Sequence, residues 1–393
     1  MKMMWASKPL EDFSRLRNGK SIKPHASGKY PVYGSNGVIG STDEFMYEAA
    51  IILGRVGAYC GSVKLSVGKF WASDNTIIVE ANPAEADLWF LYYLLKDAKL
   101  NQHAGGAAQP LLTQSRLKLL VFSVPPLSTQ RKVSSILSAY DDLIENNNRQ
   151  IEILEEMARR LYEEWFVHFR FPGHEEASFK DSELGRIPEG WTVNELGSVA
   201  QINPEAIKPK YSPDDIHYVD ISSVSPGRID KTEKMRFSDA PGRARRIVRS
   251  GDIICACVRP NRRLCAMVVD PKKDTVVSTG FAVLRAASIS EHYLYQHVQA
   301  EQFVNYLVNR ATGAAYPAVK AYDFNEAKIM EPQGDLLPRF DEAVGPMRRL
   351  VHKLERKNNN LRAQRDLLLP KLVSGEIDVS DLSMPDDKEI AAA

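Results

Sequence analysis

The sequence is poor in cysteine, which excludes a fold held together by many disulfides. Four cysteines occur in 393 residues, too few to staple a chain of this length. Three of them, Cys255, Cys257 and Cys265, lie close together, but no Cys-x-x-Cys pair and no pair of histidines accompanies them. We therefore expect ordinary buried thiols that stay reduced in the cytoplasm, and no metal site.

Long apolar runs are also absent. The longest candidate, residues 89–95, has seven residues, whereas a membrane-spanning helix needs roughly 18. The first residues lack the apolar core of a signal peptide, so we expect a cytoplasmic protein with no membrane association. A composition of 44% hydrophobic and 26% charged residues is typical of a soluble globular protein, and 393 residues suggest two or three domains.

Motifs of catalysis are missing as well. Gly19-Lys20-Ser21 ends like a phosphate-binding loop, but Ser14 stands where that motif has its first glycine. Pro213-Asp214 and Asp270-Pro271-Lys272 have the letters of a Mg-dependent nuclease core at an arbitrary spacing. No Gly-x-Gly-x-x-Gly follows a predicted strand, and no Asn-Pro-Pro-aromatic or His-Glu-x-x-His pattern is present. The sequence therefore predicts no catalytic residue.

Two stretches carry seam residues at alternating spacings of four and three, the heptad pattern of paired helices. The first seam consists of Val133, Leu137, Tyr140, Ile144, Asn147, Ile151, Leu154, Ala158, Leu161 and Trp165. The second consists of Phe340, Val344, Met347, Val351, Leu354, Asn358, Leu361, Arg365, Leu368 and Leu372. Each seam corresponds to roughly 50 Å of helix. We expect two long helices that pack against each other.

Both seams contain asparagine, a poor residue for the middle of a helix. Asn147 lies in the first seam and Asn358 in the second, each within an asparagine triplet. In an antiparallel pair the two triplets would lie at similar depth, where a hydrogen bond between them would fix the register. The alternative is that they are solvated polar positions.

The two halves of the chain resemble each other, which indicates an internal repeat. Corresponding segments are residues 50–53 with 251–255, 73–79 with 278–284, and 106–110 with 313–317. In the first half we expect strands at 50–54, 60–65, 75–80 and 118–124, and a helix at 87–95. The expected fold is α+β: two similar mixed α/β domains separated by a long antiparallel two-helix coiled coil, with pseudo-two-fold internal symmetry.

Basic residues are concentrated in the second half. Between residues 241 and 273, nine lysines or arginines stand against two aspartates, a difference of +7. Arginine grips phosphate or bonds guanine bidentately, so we expect a DNA-facing surface, with a solvated charged face as the alternative. The candidates are Arg243, Arg245, Arg246, Arg249, Arg259, Asn261, Arg262 and Arg263.

The first half has a thinner pattern of the same kind. Its candidate DNA-binding residues are Lys20, Lys23, Lys29, Tyr30, Tyr33, Ser35, Asn36, Arg55, Tyr59, Lys64 and Lys69. The tyrosines among them could equally belong to a core. Gln109 and Tyr316 occupy matching positions of the repeat and are candidate readers of DNA or structural turn residues. Lys320 follows shortly after the second of these.

Several landmarks together resemble the specificity subunit of type I restriction-modification systems. They lie, in order, at residues 30–40, 125–131 (PPLSTQR), 163–166 (EEWF), 185–191 (GRIPEGW) and 369–377 (LPKLVSGEI). The resemblance covers about residues 1–380, and its specificity lies in the order of the motifs. Residues 331–335 depart from it because they lack the double proline of 125–126, which leaves the start of the second helix open.

The resemblance implies a domain plan and a set of partners. The segments are target-recognition domains at 1–125 and 190–332, long spacer helices at 126–170 and 333–376, a polar linker at 171–189 and a polar tail at 377–393. Members of the family read split sites in double-stranded DNA and carry no catalytic site or cofactor. Two modification subunits bind S-adenosylmethionine and methylate adenine, and restriction subunits add ATP-driven translocation and Mg-dependent cleavage.

Two other classes of function remain open on the sequence alone. One is a standalone DNA methyltransferase or nuclease. The other is a protein-binding scaffold without DNA contact, since Arg159, Arg160 and Glu163 on the first helix would suit partner subunits.

Overall fold

The computed structural model of the chain describes residues 5–106, 109–208 and 213–383. The chain divides into two compact units, the first formed by residues 1–147 with 356–393 and the second by residues 148–355. Within the described residues, no helix is long and apolar enough to cross a membrane. The predicted polar tail is described as far as Ser383, and residues 384–393 lie outside the described part of the chain.

The first unit places its strands and short helices before the first long helix. In chain order they are β1 (Ala6–Pro9), α1 (Leu10–Phe13), β2 (Ser14–Asn18), β3 (Tyr30–Gly34), β4 (Gly37–Thr42), β5 (Tyr47–Gly54), β6 (Val63–Ala72), β7 (Thr76–Ala81), α2 (Leu88–Asp97), α3 (Gln114–Lys118) and β8 (Val121–Val124). The long helix α4 (Leu127–Tyr162) follows. Six strands form a sheet in the order β2-β7-β5-β6-β3-β4, and β1 pairs antiparallel with β8.

Neighbouring apolar strands form the core of this sheet. Ile51 and Ile52 of β5 and Ile77 and Ile78 of β7 are all buried, as expected of short continuous apolar runs. The Asp87 side chain accepts a hydrogen bond of 2.9 Å from the Phe90 amide and so caps α2. The predicted strands at 50–54 and 75–80 and the helix at 87–95 are confirmed.

Two predictions for this unit were wrong in extent. The strand expected at 60–65 begins only at Val63, because a 3-10 turn occupies Gly57–Tyr59. The extended run expected at 118–124 is a strand only from Val121, because α3 continues to Lys118. Thr113 starts α3 by accepting a hydrogen bond from the Arg116 amide, and this cap lay outside the motifs singled out in the sequence.

The second unit contains the remaining elements. They are β9 (Phe179–Ser182), β10 (Gly185–Pro188), β11 (Thr192–Glu195), α5 (Leu196–Val199), β12 (Ala200–Ile202), β13 (Asp215–Val219), β14 (Val224–Ser225), β15 (Arg228–Ile229), β16 (Glu233–Arg236), β17 (Ala244–Ile247), β18 (Ile253–Ala256), β19 (Cys265–Met267), β20 (Thr275–Ser278), β21 (Phe281–Ala286), α6 (Glu291–Gln299), α7 (Glu301–Arg310), α8 (Ala321–Asn325) and β22 (Lys328–Glu331). The long helix α9 (Leu336–Val373) follows. Two sheets have the orders β12-β21-β18-β19 and β16-β13-β20-β17, and β11 pairs with β22.

The predicted internal repeat is confirmed by strand order. The order β2-β7-β5-β6 in the first unit matches β12-β21-β18-β19 in the second, and the β1–β8 pair matches β11–β22. The units differ because β5 and β6 are continuous, whereas the second unit breaks each of them in two, into β17 with β18 and β19 with β20. One six-stranded sheet thereby corresponds to two four-stranded sheets. Ala107 and Ala108 of the third matched segment lie outside the described residues.

Each unit contains an antiparallel pair of segments from the two long helices. In the first unit Asn147 contacts Asn358 and Asp141 contacts Arg365; in the second, Glu155 contacts Arg348. The twenty predicted seam residues are all buried or partly buried, as a heptad seam requires. The helix α4 ends at Tyr162 and passes into a π-helical turn at Glu163–Val167, and α9 begins at Leu336.

Residues 171–189 were predicted to be a polar linker, but the structure folds much of this segment. A 3-10 turn at His174–Glu176 precedes the antiparallel hairpin of β9 and β10. Gly185 adopts a φ of 94° next to the turn of this hairpin, a conformation that glycine reaches without strain.

One cysteine pair also differs from the expectation of reduced thiols. Cys255 and Cys265 form a disulfide between β18 and β19, with their Cα atoms 4.1 Å apart. They lie directly opposite each other in the antiparallel register, a relationship that spacing along the chain did not reveal. Cys60 and Cys257 are free, buried and half-buried respectively.

Candidate nucleic-acid interface

A pair of loops lies at one end of the sheet in the first unit. The strand loop, residues 55–62, joins β5 to β6, and the helix loop precedes α3 and is described at residues 104–106 and 109–112. The Gly57 amide donates to the Pro110 carbonyl at 3.1 Å, and the Leu112 amide donates to the Arg55 carbonyl at 2.9 Å. Backbone bonds in both directions between Gly105 and Leu111 close the helix loop. The two loops therefore form one frame.

The second unit builds the same frame from different residues. Its strand loop is residues 257–264 and its helix loop is residues 311–319. The Arg259 amide donates to the Pro317 carbonyl at 2.7 Å, and the Val319 amide donates to the Cys257 carbonyl at 2.9 Å. Thr312 and Ala318 bond in both directions, as Gly105 and Leu111 do. The shared backbone bonds show that the two loop pairs are equivalent.

Backbone conformation repeats along with the hydrogen bonds. Gly57 and Gly61 bracket the first strand loop with φ of 72° and 86°. At the equivalent positions Arg259 and Arg263 have φ of 53° and 52°. Left-handed conformations cost roughly 1–2 kcal/mol for a residue with a Cβ atom. The second unit therefore carries arginine at two positions where the backbone favours glycine, and such strain is concentrated at functional sites.

The exposed ends of the two loop pairs differ in chemistry. In the second unit the Arg259 guanidinium lies 4.6 Å from the centre of the Tyr316 ring, and Tyr316 is 68% exposed. Asn261, Arg262 and Arg263 are also exposed on this loop. In the first unit the corresponding ends carry Gln109 and Tyr59, both exposed. One frame thus presents two different sets of hydrogen-bonding groups.

The remaining predicted arginines of the second unit lie on or beside β17 and interact within the protein. Arg243 forms a salt bridge of 2.7 Å to Asp220, and Arg249 forms one of 2.8 Å to Glu205. Burial raises the pKa of Asp220, but hydrogen bonds from Tyr218 and Arg243 outweigh it and lower this pKa to about 2. The excess of positive charge counted along residues 241–273 is therefore partly balanced by acids from outside that stretch.

Two further arginines of β17 are also partly withdrawn from solvent. Arg245 lies 4.9 Å from the centre of the Phe237 ring. Arg246 is half-buried, and burial lowers its pKa. The predicted arginines thus fall into two groups. Those on or beside β17 contact acidic or aromatic side chains of the protein, whereas on the strand loop Arg262 and Arg263 are exposed and Arg259 is half-buried. Lys320, directly before α8, is exposed as well.

Three candidates of the first unit make contacts within the protein. The Ser35 hydroxyl donates to the Asn75 carbonyl at 2.6 Å, and its carbonyl accepts from Ser62. Arg55 donates to the Asp74 carbonyl at 3.4 Å. The Tyr33 ring packs edge-on against Phe70, which corresponds to the core alternative. Ser35 and Arg55 therefore have structural roles at the strand loop, and Tyr33 has one in the core of the sheet.

The other candidates of this unit are accessible cations and an amide. Lys20, Lys23, Lys29, Asn36, Lys64 and Lys69 are exposed. Lys69 lies 4.5 Å from the centre of the Phe45 ring, and the half-buried Tyr30 packs at 5.2 Å against the same ring. Their DNA contacts stay a prediction. The acidic partners Asp220 and Glu205 were missed because they lie 23 and 44 residues before Arg243 and Arg249 in the sequence.

Known proteins share both the sequence pattern and the fold. Residues 3–156 match the family model of the type I restriction modification DNA specificity domain. The chain is 24% identical to the type I restriction enzyme MjaIX specificity subunit of Methanocaldococcus jannaschii over 96% of this chain and 94% of that protein. It is 22% identical to the type I restriction enzyme EcoDI specificity subunit of Escherichia coli, covering 95% and 88%.

A solved structure shows the same fold. The crystal structure of a type I restriction-modification S subunit from M. genitalium superposes with a TM-score of 0.62, covering 94% of this chain and 96% of that chain at 18% identity. The sequence matches and the fold thus agree: the proteins that this chain resembles over nearly its whole length are specificity subunits of type I restriction enzymes. The resemblance to type I restriction-modification specificity subunits that the sequence predicted is confirmed.

Proposed function

We propose that the chain reads a bipartite target in double-stranded DNA, one half-site with each unit. The observation that carries this proposal is the repeated loop frame, whose backbone bonds are the same in both units while its exposed side chains differ. Loops on a rigid scaffold vary without changing the fold, so one frame is able to present two sequence preferences. Direct contacts to base edges in the major groove would supply the readout.

The long helices would dock two methyltransferase subunits. Apolar side chains are exposed on them in each unit: Leu143 and Leu367 in the first, and Ile153, Met157 and Leu350 in the second. Ile153 and Met157 are four residues apart and so share one face of α4. Arg159 and Arg160 both donate hydrogen bonds to Glu156. Because their charges are already paired within the helix, the exposed apolar residues would contribute more than these arginines to binding a partner.

The catalytic groups would come from those partners. In this proposal the methyltransferase subunits bind S-adenosylmethionine, and restriction subunits supply ATP hydrolysis and Mg-dependent cleavage in the cytoplasm. Two repeats, each continuing into a long helix, support a complex with two methyltransferase subunits. The described residues include no cluster of His, Cys, Asp and Glu able to hold a metal ion.

Methylation mapping tests the bipartite target. The chain is produced with its methyltransferase subunits and incubated with S-adenosylmethionine and genomic DNA, and the methylated positions are sequenced. We expect two defined half-sites separated by a spacer of fixed length and free sequence. A single uninterrupted motif would contradict the proposal, and so would methylation or cleavage by the chain alone.

Charge substitutions test the docking surface. Ile153→Asp with Met157→Asp should abolish co-purification with the methyltransferase subunit. The matched control is Leu184→Asp, which changes an exposed leucine on the β9–β10 hairpin and should leave the complex intact. If the parent, the double variant and the control variant all co-purify equally well with the methyltransferase subunit, the docking surface lies elsewhere.

A further inference from the structure

We propose that Arg259 reads a guanine in the half-site of the second unit, and that Tyr316 positions its guanidinium group. The first unit has no equivalent reader, because glycine occupies the matching position 57. This inference rests on the proposed function, since it names a specificity-determining residue in one of the two readers.

Arg259 is tied to the helix loop through both its backbone and its side chain. Its amide donates to the Pro317 carbonyl at 2.7 Å, and its Nη2 donates to the Ala315 carbonyl at 3.4 Å. The guanidinium lies 4.6 Å from the centre of the Tyr316 ring. Stacking on an aromatic face restricts the rotamers of arginine before any ligand arrives, which lowers the entropic cost of binding.

The guanidinium keeps most of its hydrogen-bonding capacity. A guanidinium carries five N–H donors, and Ala315 accepts from one of its nitrogens. Among the described residues, no carboxylate forms a salt bridge with Arg259, in contrast to Arg243 and Arg249. A planar fork of free donors matches the O6 and N7 acceptors of guanine in the major groove.

The backbone gives an independent reason to assign Arg259 a function. Its φ of 53° is left-handed, and Gly57 adopts a φ of 72° at the equivalent position of the first unit. Glycine would make the same turn without strain. The strained arginine is therefore explained by its side chain and not by the requirements of the loop.

Two other roles for this stack make different predictions. As a latch between the two loops, Arg259 would stabilise the unit and leave base preference unchanged. As a phosphate contact, it would strengthen binding to all sequences equally. Arg186 serves as the matched control, because it is an exposed arginine over an aromatic ring, Phe179, at 5.7 Å on the β9–β10 hairpin.

The experiment selects bound sequences from a library of double-stranded oligonucleotides with randomised positions. The chain in complex with its methyltransferase subunits is compared with Arg259→Lys, Arg259→Gly, Tyr316→Ala, Tyr316→Phe and Arg186→Lys. We expect Arg259→Gly to lose preference for guanine at one position of one half-site, by about 5- to 150-fold. Arg259→Lys should weaken that preference less, because lysine also bonds guanine but lacks the planar fork that stacks on Tyr316. Tyr316→Ala should weaken that preference, and Tyr316→Phe should retain it.

Thermal melting separates readout from folding. Arg259→Gly should melt at the same temperature as the parent or higher, because glycine relieves the left-handed strain. An unchanged consensus in Arg259→Gly, or a uniform loss of binding without a change in consensus, overturns the inference. If the parent complex itself yields no bipartite consensus, the proposed function fails instead.

Discussion

Asn147 donates a hydrogen bond of 2.7 Å through its Nδ2 to the Oδ1 of Asn358. Both residues are buried in the first unit, at 3% and 1% exposure. An amide pair in a mostly apolar seam costs stability relative to leucine, but it is satisfied only in one alignment. Asparagine is a poor residue for a helix interior, and this contact gives a reason for its presence: the hydrogen bond fixes the register of the helix pair.

Asn147→Leu should destabilise the chain, whereas the double change Asn147→Leu with Asn358→Leu should recover stability and lose the unique register. The single change leaves the buried Asn358 amide without this partner, a cost of about 1–3 kcal/mol in urea unfolding. Disulfide cross-linking measures the register. Cysteines at positions 144 and 361 report the register in which 147 faces 358, and cysteines at 144 and 368 report a register shifted by one heptad. Cross-linking of the first pair alone in the double variant would contradict the role.

Much of the fold follows from local patterns in the sequence. The seams were visible because a heptad needs only spacing, and β5 and β7 were visible as continuous apolar runs. The hairpin at β9 and β10 was missed because its strands are polar and mostly exposed. The Cys255–Cys265 disulfide was missed because it depends on the pairing register of two strands, which composition does not encode.

Asp141 should contribute strongly to the stability of the first unit. Its carboxylate accepts a hydrogen bond of 2.8 Å from the Tyr93 hydroxyl and a second from the partly buried Arg365. We expect Asp141→Ala to lower the free energy of unfolding by about 2 kcal/mol, because it removes both hydrogen bonds and leaves the partly buried Arg365 with the exposed Asp366 as its carboxylate partner. Tyr93→Phe should lower it by about 1 kcal/mol. Urea unfolding measures both, and a change near zero for Asp141→Ala would show that the pair is fully screened.

His297 should make the second unit less stable in mild acid. Burial lowers its pKa to about 4, whereas an unfolded histidine has a pKa near 6.5. Between these values the unfolded chain binds a proton that the folded chain does not, so the free energy of unfolding falls as the pH drops from about 6.5 to 4. The full loss is on the order of 3 kcal/mol.

Urea unfolding at several pH values checks this prediction. His297→Gln should remove the slope between pH 6.5 and 4, and His103→Gln, at an exposed site, should keep it. The same slope in all three proteins would assign the pH dependence to other groups.

Arg262 and Arg263 should contribute to DNA binding without base preference. Both are exposed on the strand loop beside Arg259. Removing one phosphate contact should weaken binding on all sequences and reduce the slope of log K against log salt by about 0.9. Filter binding of Arg262→Ala and Arg263→Ala at several salt concentrations measures this, with Arg186→Ala as the control. If both variants have the same salt dependence as the parent, the DNA contacts lie on another surface.

The candidate interface was only partly predictable, for a physical reason. Sequence reasoning found the arginines, but it counted Arg243 together with Arg262 because they lie in one basic stretch. The structure pairs Arg243 with Asp220, 23 residues earlier in the chain, and leaves Arg262 exposed. Salt bridges between distant residues decide which cations remain accessible, and only the folded chain brings those residues together.

Lengthening both helices by one heptad should lengthen the spacer between the half-sites. The chain runs through α4 and α9 between its two units, whose division follows Asn147 and Glu355. Duplicating residues 148–154 together with 351–357 adds one heptad to each helix, so the heptad pattern of both seams is preserved. Seven residues add about 10 Å of helix, which corresponds to about three base-pair steps of ~3.4 Å.

Methylation mapping of the lengthened complex should show both half-sites unchanged and the spacer longer by about three base pairs. A heptad rotates an ideal helix to within about 20° of two full turns, whereas three base pairs rotate DNA by about 100° at roughly 10.5 base pairs per turn. We therefore expect weaker binding along with the longer spacer. Duplicating residues 148–154 alone mismatches the two helices and should impair folding. An unchanged spacer in the doubly lengthened chain would show that helix length does not set the distance between the half-sites.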